Sequence, residues 1–352
     1  MFPLLLTLLF TWSQANSNAQ AQIQRRDFFV ASDPGIRIYV REIFANPNRV
    51  SGPAIILIHG ARVPGVASFD LAVPGGSLAA DLAARGFDVY VPDIRGYGRS
   101  TRPHEMDDAP EAHAPLVRSN EAARDLAAVV DQVRQRRPRA RIVLFGWATG
   151  GQWAGYYASA YPGRISTLIL LNSLYRGSSK HELIGRGSDL EDPAHPGRFH
   201  AAACGGYRWN DANSLLRPWD HSIPGEAKNA WRDRTVAEAY VREALASDPK
   251  SPMRTPPAFR SPCGALEDSF YLAIGRQLWD ASLITVPTLV IASEHDFWSR
   301  PEDRQNLVDD LVHAPKVQLV TIPEATHFVH LDRPERGRDV LLKEVAAFAL
   351  AN

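Results

Sequence analysis

The sequence predicts an α/β protein: a mainly parallel central sheet flanked by helices, interrupted by one mostly helical cap insertion. Three observations carry this. Short apolar runs alternate with stretches of helical spacing from residue 22 to about 173. The rhythm stops over 174–280, where Gly, Pro, Trp and Arg accumulate, and it resumes over 281–352. Repeated strand–helix units of this kind require parallel strands with right-handed crossovers, and ligands then gather at the carboxyl ends of the strands.

In order, "RRDFFVAS" and "IRIYVREI" flank Asp33-Pro34-Gly35 and predict an antiparallel hairpin, because two alternating runs enclose turn residues. "AIILIHG" is a continuous apolar run, as in a strand buried on both faces. "SLAADLAARG" has helical spacing and a glycine stop. "FDVYVPDIRGYGRS" is a strand followed by a glycine-rich turn; it lacks the Lys of a phosphate loop, so the turn is read as structural. "NEAARDLAAVVDQVRQRRP" is an amphipathic helix, "RIVLFGW" a strand, "GGQWAGYYASAYP" a helix and "ISTLILLNS" a strand. The insertion offers helical pieces such as "TVAEAYVREALAS" and no convincing buried strand. After it come "VPTLVIASEHD", "RQNLVDDLVHA", "KVQLVTIP" and "GRDVLLKEVAAFALAN", alternating strand and helix.

The chain has 352 residues, 45% hydrophobic and 22% charged, with a formal net charge of zero. That charge offers no electrostatic draw toward nucleic acid or an anionic membrane. No apolar stretch approaches the ~20 residues that span a bilayer. "MFPLLLTLLFTW" followed by "SQANSNAQAQ" has the form of a signal peptide over residues 1–21, with an A-x-A-like site at Ala19-Gln20-Ala21, although its start carries no Lys or Arg. The expectation is a secreted or periplasmic protein, in which Cys204 and Cys263 can pair.

Four strand ends carry candidate chemistry. In "LFGWATGG", an apolar strand enters a sharp turn with the spacing of Gly-x-Ser-x-Gly, but Ala148 occupies the serine position. The N–H of Thr149 and that of Ala61, after His59-Gly60, are candidates for an oxyanion hole. "LVIASEHDF" ends a buried strand in acids, of which Asp296 is preferred over Glu294. "THFVHLDRPE" supplies His327, completing the chain order nucleophile, acid, histidine. Trp147 and Arg62 are candidate substrate-binding residues because they adjoin the nucleophile and oxyanion positions. His330 is read as packing, and Trp209, Trp219, Trp231 and Trp279 as core with one or two available to line a pocket. The cluster His104, Asp107, Asp108 and His113 lacks fixed spacing and is read as a loop rather than a metal site; no metal and no cofactor is expected.

Taken together, "HGARVPG", "DIRGYGRS", "GWATGG", "PTLVIASEHD" and "THFVHLDRPE" resemble the α/β-hydrolase superfamily over nearly the whole mature length. The resemblance implies an α/β-hydrolase fold with Asp296 as acid, His327 as base, Ala61 and Thr149 as oxyanion donors, and a core of 22–173 and 281–352 bearing a cap of 174–280. It departs from the family at position 148, where Ser, or sometimes Asp or Cys, is expected. The function implied is an exported serine hydrolase acting on a small-molecule carboxylic ester, with its nucleophile replaced by alanine. Amide, lactone or peptide hydrolysis on the same triad, and a natural binder without turnover, are the alternatives. Retention of Asp296, His327 and both oxyanion positions favours loss of the serine hydroxyl alone.

Overall fold

The computed structural model describes residues 22–45 and 52–352. The signal-like segment 1–21 lies outside them. The predicted hairpin is β1 (Gln24–Ala31) paired antiparallel with β2 (Arg37–Phe44). The sheet continues with β3 (Ala54–Ile58), β4 (Asp88–Pro92), β5 (Ile142–Trp147) and β6 (Thr167–Leu171). In the insertion lie β7 (Tyr207–Asn210) and β8 (Phe259–Pro262), and then β9 (Thr288–His295) and β10 (Val317–Thr326) complete the set. Eight strands form one sheet in the order β1-β2-β4-β3-β5-β6-β9-β10, parallel from β4 onward and antiparallel at the hairpin edge.

Side chains alternate across the pleat, so each apolar strand feeds two cores. Ile55, Leu57, Val143, Phe145, Ile169 and Leu171 face one layer, with the helices Leu78–Ala84 and Arg338–Ala351. Ile56, Ile58, Leu144, Leu168 and Leu170 face the other, with Ser119–Arg136, Thr149–Ala160 and Pro301–Asp310. Burial on both faces is why these strands read as continuous apolar runs rather than alternating ones.

The segment between β6 and β9 contains the helices Ala201–Cys204, Ala212–Ser222, Arg234–Ala246 and Gly264–Ala273. It also contains β7 and β8, an antiparallel pair separate from the central sheet. The sequence reading missed both strands. Each has four residues, β8 ends in proline, and their partners lie some fifty residues apart, so no local period announces them. Cys204 and Cys263 form a disulfide with Cα atoms 6.2 Å apart, tying the end of one short helix to the start of another. Among the described residues, no helix is long and apolar enough to cross a membrane.

Candidate active site

β5 runs directly into the helix Thr149–Ala160 with one residue, Ala148, at the turn. Its N–H still continues the sheet, donating to the Leu171 carbonyl at 2.8 Å. Its backbone then bends to φ 53°, ψ −118°. The positive φ matches the strained turn expected from the sequence, but ψ lies outside the left-handed helical region, in a sparser one that costs a residue with a side chain about 1–3 kcal/mol. The flanking glycines serve close approach rather than positive φ. A Cβ on Gly150 would stand 2.2 Å from the Ile58 carbonyl oxygen, and one on Gly146 2.3 Å from that of Gly150. Helix and β3 therefore meet backbone to backbone, and residue 148 is carried to the strand end.

Asp296 and His327 are brought together from the ends of β9 and β10. The Nδ1 of His327 donates to Asp296 Oδ1 at 2.6 Å, and the carboxylate side chain is wholly buried. The remaining lone pairs of Asp296 accept from Trp298 N, Ser299 N and Ser299 Oγ. A carboxylate so fixed sets the imidazole tautomer and leaves Nε2 as an acceptor. Glu294, the alternative acid, is still within β9; it is exposed and accepts from the Glu324 N–H.

The histidine loop is braced from two sides. Trp147 Nε1 donates to the His327 carbonyl at 2.9 Å, and Asn172 Nδ2 donates to the same oxygen at 3.3 Å. Asn172 also ties β6 to β9 by donating to Ser293 Oγ and accepting from Ser293 N. Beyond the histidine, Asp332 accepts from Thr326 N, Thr326 Oγ1 and Trp219 Nε1; burial pushes its carboxyl up to about 6. Sequence reasoning overlooked Asn172 and Asp332; for Asn172, a polar residue directly after four buried apolar ones in "TLILLN" was a visible signal.

Gly60, Ala61, Trp147, Ala148, Thr149 and His327 all line one cavity of about 240 Å³. Among the described residues, the N–H groups of Ala61 and Thr149 donate no hydrogen bond to the protein. His59 is occupied elsewhere. Its Nε2 accepts from Ile94 N and its Nδ1 donates to the Gly60 carbonyl, which joins the ends of β3 and β4; burial pushes its pKa down to about 4. The cavity's apolar wall comes from Leu183, Ile184, Leu215, Leu266, Phe297 and Trp298. Arg62, expected from the sequence, is also on the wall, as is Arg208, which was not. None of Trp209, Trp219, Trp231 and Trp279 lines it; Trp219 is fully buried against Phe328 and Tyr240. His330 packs on Trp147 and Phe69.

The remaining candidates resolve into structural contacts. Asp107 pairs with Lys250 and Arg260, and His113 with Asp108. Among the described residues, no group of three or more His, Cys, Asp or Glu side chains is arranged to hold a metal ion. In "DIRGYGRS", Asp93 accepts from Gly65 N and Arg99 N, and a Cβ at Gly98 would collide with its carboxylate. That turn is a structural one.

Known proteins share this arrangement at the level of the fold. Human Protein ABHD8 is 24% identical over 276 residues, 76% of this chain and 52% of its own length, so the chain spans about half the length of that relative. The thioesterase domain from the curacin biosynthetic pathway superposes with a TM-score of 0.56 at 18% identity, covering 93% of this chain and 99% of that one. The enol-lactonase from Burkholderia xenovorans LB400 superposes with a TM-score of 0.52 at 16% identity, covering 92% and 100%. The family model for the α/β hydrolase fold matches residues 53–334. The chain belongs to the α/β hydrolase fold family.

Proposed function

We propose that this site is the acyl pocket of a serine-type carboxylic ester hydrolase with its nucleophilic hydroxyl missing. As the chain stands it binds an acyl substrate and does not turn it over. The observation that carries the proposal is the His327–Asp296 pair, whose histidine lines the same cavity as Ala148 and has Nδ1 engaged by the carboxylate. A methyl group has no lone pair with which to attack a carbonyl.

With serine at position 148, Oγ attacks the ester carbonyl carbon while His327 Nε2 takes its proton. Asp296 holds the imidazole through Nδ1 and stabilises the imidazolium. The carbonyl oxygen becomes an oxyanion that receives the N–H groups of Ala61 and Thr149. His327 then passes its proton to the departing alkoxide, giving an alcohol and an acyl-enzyme. Water repeats the sequence from the same face, releasing the acid and restoring serine. No step in this mechanism requires a metal or cofactor.

Three further proposals accompany this one. Residues 174–280 act as the cap, Trp147 and Arg62 contact substrate, and the chain is exported, with its mature form beginning near Gln22. The Cys204–Cys263 bridge supports export, since such bonds persist in oxidising compartments. Intact mass of protein recovered from its host tests the export; cytoplasmic protein retaining Met1 would contradict it.

Labelling tests the catalytic proposal. Ala148→Ser should react with an alkyl fluorophosphonate and gain one phosphonyl adduct by intact mass. Ala148→Ser/His327→Ala and the native chain should gain none. A folded Ala148→Ser protein that resists labelling would favour the binder without turnover, for which Ala148 itself is the supporting observation.

A further inference from the structure

Arg208 and Arg62 both line the cavity that holds position 148, and among the described residues neither has a carboxylate partner. Arg208 projects from β7 of the insertion. Among the described residues its guanidinium makes no hydrogen bond and no ion pair, and its Nε is buried without an acceptor. The ionisable groups that face it are Arg62, which opposes its charge, and Tyr97, whose hydroxyl is spent on the Ala61 carbonyl. Arg62 gives one N–H to the Ser214 carbonyl; its ionisable neighbours are Tyr240 and a third arginine, Arg217. Tyr240 also lines the cavity, and its hydroxyl has no protein partner among the described residues.

Several other partly buried arginines of this chain meet carboxylates. Arg95 meets Asp33 and Asp125, Arg260 meets Asp248, and Arg300 meets Asp303. Arg208 and Arg62 instead set two like charges in a confined, mostly apolar space with no counter-ion among the described residues. Their unused N–H donors match the planar, two-oxygen geometry of a carboxylate, which guanidinium groups bind through paired hydrogen bonds. Burial lowers the pKa of Arg208 to about 9, which still leaves it charged at neutral pH.

We infer that Arg208 and Arg62 form an anion subsite, and that the substrate is an ester carrying a free carboxylate, such as the monoester of a short dicarboxylic acid. The inference rests on the acyl-pocket function proposed above. The wall of Leu183, Ile184, Leu215, Leu266 and Phe297 takes the apolar body of the substrate. The small cavity favours a short chain between the two carbonyl groups. Because Arg62 directly follows Ala61, the subsite adjoins the oxyanion position along the chain, so a carboxylate held there orients the ester carbonyl toward residue 148.

Calorimetry on the native Ala148 chain tests this with a matched pair, monomethyl glutarate (anionic) and dimethyl glutarate (neutral). The monoester should bind at least tenfold more tightly, and Arg208→Met should abolish that preference while Arg208→Lys keeps part of it. Monomethyl glutarate should raise the melting temperature of the native chain and not that of Arg208→Met. The methionine variant should itself melt no lower than the native chain, since it removes an unpaired charge. Equal affinity for the two esters, or a preference that survives Arg208→Met, would overturn the subsite. Turnover by Ala148→Ser separates the two proposals. Hydrolysis of neutral aryl esters without any gain for carboxylate-bearing ones would overturn the subsite and leave the hydrolase standing. Arg208-dependent binding of the monoester with no turnover of any ester would keep the subsite and remove the hydrolase. No binding of either glutarate ester would overturn the subsite outright.

Discussion

The indole of Trp147 is hydrogen-bonded to the main chain of His327, Nε1 to carbonyl oxygen at 2.9 Å. The residue preceding the turn at 148 thus sets the position of the histidine loop, although the two are 180 residues apart. The rings also approach to 5.3 Å between centroids, so contact and hydrogen bond act together. Position 148 and the imidazole are registered by this link rather than by their own side chains.

Trp147→Phe keeps an aromatic ring of smaller size and deletes the donor. Asn172 remains on the His327 carbonyl, so the fold should lose only about 1–2 kcal/mol. In an Ala148→Ser background, the same change should lower kcat about tenfold or more, by a larger factor than it raises KM, because a displaced base affects the transition state more than ground-state binding. Steady-state kinetics and denaturant unfolding of the same protein check both halves. An effect on KM alone would place Trp147 in substrate contact only.

Ala148→Gly should stabilise the fold. Alanine is held at φ 53°, ψ −118°, a conformation glycine adopts without steric cost. The gain should be about 1 kcal/mol, after the entropy of a more flexible unfolded chain and the lost methyl burial offset part of the strain. Urea unfolding midpoints measure it. A destabilised glycine variant would mean that the turn carries no strain at this position.

Much of this site was legible because it lies where buried strands stop. Apolar runs such as "AIILI" and "RIVLFGW" mark strands whose ends must carry polar groups into a cavity. The alternation that located Asp296 and His327 is the same physics that builds the sheet. Arg208 was not legible. Its strand has four residues, pairs with a partner some fifty residues on, and places its arginine by tertiary contacts alone. Asp332 was equally hidden, since nothing in "LDRPE" shows that its carboxylate turns back to Thr326 and across to Trp219. The cap tryptophans were misassigned in part because aromatic residues carry no marker separating core from cavity wall.

Replacing both Cys204 and Cys263 by serine should lower stability by about 2–5 kcal/mol. The bridge closes a separation of 59 residues within the insertion, and neither cysteine lines the cavity that His327 lines. Chemical unfolding of the native and double-serine proteins provides the comparison. A difference below ~1 kcal/mol would mean the unfolded insertion is already restrained by other means.

His330 is fully buried, among the described residues neither of its ring nitrogens is hydrogen-bonded, and burial holds its pKa well below the usual value. An imidazole that protonates in the unfolded chain near pH 6.5 but not in the folded one contributes stability that is complete above that pH. The contribution falls away as the pH drops below 6.5. His330→Phe keeps the packing against Trp147 and removes the titration. The variant should therefore lose less stability than the native chain between pH 8 and pH 5, as read from denaturant midpoints at both. Equal losses would show that His330 does not contribute to acid sensitivity.

On the proposed function, a single oxygen atom separates this site from turnover. The most direct measurement is kcat/KM of Ala148→Ser against the native chain on short-chain aryl esters, with and without a carboxylate on the acyl chain. Loss of a triad nucleophile costs on the order of 10⁶ in turnover in the reference case of subtilisin. The serine protein should therefore show activity orders of magnitude above a native background near zero. That activity should collapse in Ala148→Ser/Asp296→Asn, because the base and its orienting carboxylate act as one unit with the serine. A folded serine protein no more active than the native chain across esters, lactones and amides would contradict the account.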